Sequence, residues 1–281
     1  MYPAGEAGVS VQYVTLDDGL KVRVIESGPP TSNAILLVHG WGASVYSFSE
    51  MIPALSEAGY RTVALDLPGH GLSDKPADET RYTTRALSDV VLAVADAMIV
   101  GRFSIIGHSL GGSLALDIAS RGEPRLDRLV LINPVGLGAV VLHFPLKFLS
   151  PRLVNPLLPP LISRRLVAII LRVAFATRER PRERDIDEYW APSQFDEFIW
   201  ACRACIHRVS WGRVSATRLR SLRLPVLVIT GGRDRLVRSA ATRARLIPGA
   251  QVVVIREGGH IVLQDSAPRT NSEILRFLRA Q

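Results

Sequence analysis

The chain has 281 residues, of which 47% are hydrophobic and 21% charged; that is enough to bury a substantial core as one α/β domain with an insertion, and it excludes a disordered chain. Its 2 cysteines exclude a disulfide framework, and their spacing of three, at 202 and 205, suits neither a structural bridge nor a complete zinc site, so a reducing compartment is expected. The formal charge of +8 is concentrated, because residues 134–220 hold 14 Lys+Arg against 7 Asp+Glu while the remainder is nearly neutral.

Two β-rich runs come first, residues 9–16 and 21–26, joined through Asp17-Asp18-Gly19, a hairpin signal at a sheet edge with one wet face. Residues 34–38 are continuously apolar, as in a strand covered on both faces, and end in His39-Gly40-Trp41-Gly42-Ala43-Ser44. A helix is predicted over 48–58 and a strand over 61–65, leading into Asp66-Leu67-Pro68-Gly69-His70-Gly71-Leu72-Ser73-Asp74. Thr83 or Thr84 can cap the next helix, which carries Leu87, Val91, Val94 and Met98 at helical spacing. The following strand, 103–106, turns through Gly107-His108-Ser109-Leu110-Gly111 into a helix of small and apolar residues over 113–120, and 126–132 is another buried strand. From there to about residue 220 the chain is helical or irregular, with seven prolines from Pro145 to Pro192 and no convincing buried strand. Alternation resumes with strands at 225–231 and 251–255, a helix near 240–246 and a terminal helix to Leu278. Strands alternating with helices predict a mostly parallel, doubly wound sheet, divided here into 1–133, an inserted helical lid at 134–220, and 221–281. The opening residues carry no basic and apolar leader, and no stretch reaches the roughly 18 apolar residues of a membrane span; a cytoplasmic protein is expected.

The Gly-His-Ser-Leu-Gly turn reads as a nucleophile elbow with Ser109 at its tip. So tight a strand-to-helix turn strains the central residue by roughly 1–3 kcal/mol and leaves no room for side chains two positions away, hence Gly107 and Gly111. The pentapeptide alone is also compatible with an ordinary Gly-rich turn. In open α/β sheets, however, ligands bind at the carboxyl ends of strands, and two other groups fall there: Asp234 in Gly231-Gly232-Arg233-Asp234, and His260 in Gly258-Gly259-His260.

With HGWGAS, DLPGHGLSD, GHSLGG and GGRD…GGH in this order, the chain resembles the α/β-hydrolase superfamily over about residues 10–280, most weakly in 135–220. The resemblance implies an eight-stranded, mostly parallel sheet with helices on both faces and a helical cap. It also implies a triad of Ser109 as nucleophile, His260 as base and Asp234 as the carboxylate orienting it, with an oxyanion hole from the backbone N–H groups of Trp41 and Leu110. Competing readings are structural: His39 and His70 holding loops, His108 as part of the elbow, Asp66 and Asp74 as loop and turn residues, Asp234 as a helix cap, and Asp265 inside the last helical region. Cys202, Cys205 and His207 are read as packing residues, with no metal and no cofactor.

Relatives that attack alkyl carbons carry Asp at the elbow, whereas Ser109 with an oxyanion hole suits a carbonyl carbon. Relatives that cleave carbon–carbon bonds typically have Asn before the Ser and an aromatic after the His, where this chain has His108 and Ile261. The expected activity is therefore hydrolysis of a carboxylic ester or related acyl bond of a lipophilic small molecule. Carbon–carbon hydrolysis, acyl transfer, perhydrolysis and a non-catalytic accessory role remain as alternatives. The apolar residues of 135–176, among them Leu137, Leu142, Phe144, Phe148 and Leu166–Leu171, are expected to turn an apolar underside over Ser109. A second reading rests them on an anionic membrane beside Lys147, Arg152, Arg164, Arg165 and Arg172. The charges at 178–184 alternate in sign, and no nucleic-acid partner is expected.

Overall fold

The strand that leads into Ser109, residues 103–108, and its neighbour, residues 34–38, are buried along their whole length because helices cover both sides of the sheet. The computed structural model describes residues 1–30, 33–141 and 143–280; Leu142, one of the apolar residues singled out in the insertion, lies with Thr31, Ser32 and Gln281 outside the described residues. In chain order the first half comprises β1 (Val9–Thr15), β2 (Lys21–Ser27), β3 (Ala34–Val38), α1 (Ile52–Glu57), β4 (Arg61–Leu65), α2 (Thr84–Met98), β5 (Phe103–His108), α3 (Leu110–Ser120) and β6 (Leu126–Ile132). Then follow β7 (Ala139–Val140), α4 (His143–Leu149), α5 (Arg164–Ala174), α6 (Glu183–Trp190), α7 (Asp196–Arg208) and α8 (Ala216–Arg220). The chain closes with β8 (Val226–Gly231), β9 (Val237–Arg238), α9 (Ala240–Ala244), β10 (Gln251–Ile255), α10 (Val262–Asp265) and α11 (Ala267–Arg279).

The main sheet has eight strands in the order β1-β2-β4-β3-β5-β6-β8-β10. The pairs β1/β2 and β2/β4 are antiparallel, and all the others are parallel. Strand pleating divides the core in two. Leu36, Val38 and Ile105 join Leu87 and Val91 of α2 and Leu114 of α3 on one face, whereas Ile35, Leu37 and Ile106 join Leu55 of α1 and Ile274 and Phe277 of α11 on the other.

Between β6 and β8 the chain leaves this sheet and returns to it. Along the way α7 sends Ala201, Ala204 and Cys205 into the first core, and α5 sends Ala168, Leu171 and Ala174 into the second. One inserted helix therefore packs on each side of the sheet's carboxyl edge. The inward turn expected of the apolar residues here is found at Leu137, Ala168 and Leu171, which are buried, but not at Phe144, Phe148, Leu149, Leu153, Leu157 and Leu161, which are exposed. The helices here are short, α4 ending before Pro151 and a 3-10 turn starting at Pro159, and have too little continuous surface to bury both faces. Two smaller departures from the sequence reading have local causes. The helix expected over 48–58 opens instead as a 3-10 turn, Val45–Phe48, capped by Ser44, and α1 begins only where Pro53 occupies its first turn. The two-residue pair β7/β9 is too short to show any periodicity.

Candidate active site

Ser109 links β5 to α3 with φ 52° and ψ −113°, a backbone region that L residues rarely adopt. The two glycines around it are required by contact distance. A Cβ on Gly107 would stand 2.4 Å from the Gly111 carbonyl oxygen, and one on Gly111 would stand 2.0 Å from that of Val38. The strained turn is held by its own backbone: Ser109 N–H donates to the Ile132 carbonyl at 2.9 Å, while its carbonyl accepts from Gly112 and from Val135, each at 3.0 Å.

Three of the sequence-predicted residues meet here. His260 Nε2 lies 2.9 Å from Ser109 Oγ, and His260 Nδ1 lies 2.9 Å from Asp234 Oδ2. Burial pushes the Asp234 carboxyl up, but the neighbouring His260 and the hydrogen bonds from His260, Val237 and Leu236 outweigh it and hold the group below its ordinary value. An ionised Asp234 can only accept, so Nδ1 carries the proton and Nε2 presents its lone pair to the Ser109 hydroxyl. The reading of Asp234 as a helix cap is not met, because α9 begins only at Ala240 behind Ser239; the other oxygen instead accepts from Leu236 N–H at 2.7 Å and Val237 N–H at 3.0 Å and holds the turn before β9. Each oxygen thus has one task. Ser109 is only 7% exposed, so the hydroxyl sits in a site almost closed to water.

Of the two residues expected to supply oxyanion N–H groups, Leu110 directly follows Ser109, and Trp41 follows Gly40, where an added Cβ would stand 3.0 Å from the Ser109 Cβ. Leu110 is the first residue of α3, where the backbone N–H has no partner within the helix and the eleven-residue dipole favours negative charge. The Trp41 loop after β3 is fixed from the insertion, because its indole Nε1–H donates to the Cys202 carbonyl of α7 at 2.8 Å and its ring meets Trp211 edge-on.

The competing histidines and carboxylates build the scaffold. His39 Nε2 accepts from Leu67 N–H at 2.9 Å, and its Nδ1 lies 2.7 Å from the Gly40 carbonyl, joining the loops after β3 and β4. His70 Nδ1 lies 3.0 Å from the Pro68 carbonyl in its own loop, and His108 Nε2 donates to the carbonyl of His260 at 2.9 Å. Burial drives all three toward the neutral form, His39 to about 4 and His70 and His108 to about 3. Asp66 pairs with Arg23 at 3.1 Å and accepts from Val45 and Leu72 N–H groups, and Asp74 accepts from Lys21 N–H. Asp265 accepts from the backbone of Gly259, Ala176 and Thr177, tying the His260 loop to the chain that follows α5. Cys202 and Cys205 are buried thiols, and among the described residues no three His, Cys, Asp or Glu side chains are grouped to hold a metal.

Asn133 is the residue that sequence reasoning passed over. Buried at the end of β6 with φ 43°, it donates its amide to the carbonyls of Gly259 at 2.9 Å and His260 at 2.8 Å, and accepts from Gly231 N–H at 2.9 Å. One side chain thereby joins the ends of two neighbouring strands to the loop carrying the imidazole. Its only signal in the sequence is its position directly after a buried strand, before Pro134.

Comparison with known proteins gives a consistent setting for this geometry. A family model described as alpha/beta hydrolase fold matches residues 33–198. The chain is 33% identical over 264 residues to the dihydrolipoyllysine-residue acetyltransferase component of the acetoin cleaving system of Pseudomonas putida, covering 93% of this chain and 67% of that protein. It is 30% identical over 274 residues to the magnesium-chelatase 30 kDa subunit of Rhodobacter capsulatus, covering 91% and 90%. A solved structure of an esterase from Exiguobacterium antarcticum superposes with a TM-score of 0.79 at 18% identity over 96% of this chain and 100% of that one, a likeness of fold.

Proposed function

From the premise that the chain belongs to the α/β-hydrolase family, we propose that it is a serine hydrolase which cleaves a carboxylic ester or related acyl bond through an acyl-enzyme. The observation that carries this reading is the continuous hydrogen-bond chain from Ser109 Oγ through His260 to Asp234, with both links at 2.9 Å, on a strained strand-to-helix turn. A scaffold protein has no use for that strain. Ser109 Oγ attacks the carbonyl carbon as its proton passes to His260 Nε2, and Asp234 stabilises the imidazolium that forms. The tetrahedral oxyanion takes its hydrogen bonds from the N–H groups of Leu110 and Trp41. Collapse expels the alcohol, which leaves with the proton from His260. Water then repeats the sequence on the acyl-Ser109 ester and releases the carboxylic acid.

In this reading residues 134–220 act as a cap, with α7 fixing the oxyanion loop through Trp41 and the end of α5 fixing the His260 loop. Carbon–carbon hydrolysis uses the same nucleophile, but Ser109 with its base in place and His108 committed to the His260 carbonyl favours simple acyl chemistry. Covalent labelling with a fluorophosphonate tests the proposal. One equivalent should attach to Ser109, and Ser109→Ala should abolish it; an unlabelled parent, or equal labelling of the variant, would remove Ser109 as nucleophile.

A further inference from the structure

The inserted segment carries an apolar surface of a kind that a free protein rarely leaves in water. Among the described residues sixteen large apolar side chains are exposed, and ten of them fall between Val141 and Val173. Leu153 is 92% exposed, and Phe144 and Phe148 are 78% and 79% exposed. The inner side of this stretch is accounted for: His143 stacks on Trp211, Ser150 lies against His207 of α7, and Leu158 and Ile162 pack against Phe198 and Ile199. The exposed aromatics therefore project from the side opposite α7. On α5 the residues Arg165, Ile169, Arg172 and Val173 follow i, i+4, i+7, i+8 spacing, so they share one exposed face.

Charge identifies the occupant. From Pro134 to Arg178 the sequence has six basic residues and no acidic one. Arg164 turns back to Glu183 and Asp187, and Arg152 reaches Glu79, whereas Lys147, Arg165 and Arg172 have no acidic partner among the described residues. We propose that the outer surfaces of the insertion, Phe144, Phe148 and Leu153 with Lys147 in and after α4, and Ile169 and Val173 with Arg165 and Arg172 on α5, dock the protein on an anionic lipid surface. The rings and leucines enter the acyl boundary while the cations meet the headgroups. No helix of the described residues is long and apolar enough to cross a membrane, so the attachment is peripheral. A two-fold contact with a second copy would set these cations against themselves, and the segment from Pro134 to Arg178 carries no acidic residue to answer them.

Docking needs no catalysis, so its fate is separable from that of Ser109. The test is sedimentation with vesicles of phosphatidylcholine alone and of phosphatidylcholine with phosphatidylglycerol, using the full chain and Ser109→Ala. Both proteins should bind the anionic vesicles equally and the neutral ones far more weakly, and binding should fall as salt is raised from about 0.15 M to about 0.5 M. Lys147→Gln/Arg165→Gln/Arg172→Gln should weaken binding at least about tenfold, as should Phe144→Ser/Phe148→Ser. These substitutions touch exposed side chains, and unchanged circular dichroism verifies the fold. No sedimentation with anionic vesicles, or equal and salt-insensitive binding to both, overturns the proposal. So does a concentration-dependent dimer that Phe148→Ser dissociates while vesicle binding is absent. Loss of fluorophosphonate labelling with vesicle binding intact would fault the hydrolase reading alone.

Discussion

Two regions of this chain solve opposite problems. At the carboxyl ends of β5, β6, β8 and β10, backbone strain and buried polar groups are gathered into little space, and neighbouring loops hold nearly every group in place. In the stretch from α4 to α5 the helices are short, the apolar side chains face outward, and contacts are made along one side only. The contrast shows where stability resides. A strained serine persists because its surroundings over-determine it, whereas the outer face of the insertion contributes little to folding and is free to serve an external surface.

The largest effect should come from the strained end. Ser109→Ala is expected to lower ester hydrolysis by ~10⁶ while leaving the unfolding midpoint nearly unchanged, because in the proposed reaction the hydroxyl is the nucleophile whereas the turn is held through its backbone. Steady-state assays with a p-nitrophenyl ester, set beside a denaturation curve, measure both; a variant as active as the parent would break the contrast at its strongest point. Asp234→Asn should follow, at ~10⁴ in kcat, since the amide no longer fixes the His260 tautomer. The same loss from Asp265→Asn with Asp234→Asn unaffected would exchange their roles.

Asn133→Ala sharpens the comparison because it leaves the reacting groups in place. It removes three hydrogen bonds from a buried junction and should destabilise the fold by about 2–4 kcal/mol. Turnover should fall about tenfold or more through kcat, with KM little changed, as the imidazole loses its alignment. A wild-type kcat in the folded variant would show that the His260 loop is held without it.

A smaller effect concerns pH. His39, His70 and His108 are neutral in the folded protein well below the value of about 6.5 they recover on unfolding. Between those values the unfolded chain binds more protons, so stability rises with pH and is lost as pH falls below about 6.5, by up to ~1.4 kcal/mol per unit for each imidazole. Urea unfolding between about pH 7.5 and 5 should show this slope, and His39→Gln should flatten it by one imidazole's share. The smallest effect belongs to the other region. Phe148→Ser and Leu153→Ser should change stability by no more than about 0.5 kcal/mol, and a loss of several would mean that their face is packed after all.

The contrast also governs what the sequence could disclose. The sheet was legible because β3 is apolar without interruption, as a strand with two covered faces must be, and because the turn at Ser109 tolerates no side chain at Gly107 or Gly111. The positions of Asp234 and His260 after strands were legible for the same reason. Contacts made through carbonyl oxygens were not. The Cys202 carbonyl that holds Trp41, and the carbonyls that Asn133 and His108 hold, belong to groups that every residue carries. In the insertion, runs of Leu, Ile and Val show that apolar surface exists but not which way it faces, since turns at proline reset the helical phase within a few residues.

α5 joins the two regions. Its eleven residues span ~16 Å, with Ile169 and Val173 on the outer face and the Ala174 carbonyl at the inner end accepting from His260 N–H at 2.7 Å. The outer side chains and the loop that carries the imidazole are therefore coupled through one short helix and a backbone hydrogen bond at its end. A substitution that tilts this helix moves the His260 loop with it, so the outer face and the aim of the imidazole at Ser109 are not independent. Engineering the surface for solubility should accordingly spare Leu171 and Ala174, which seat the helix, and alter only positions one helical face away.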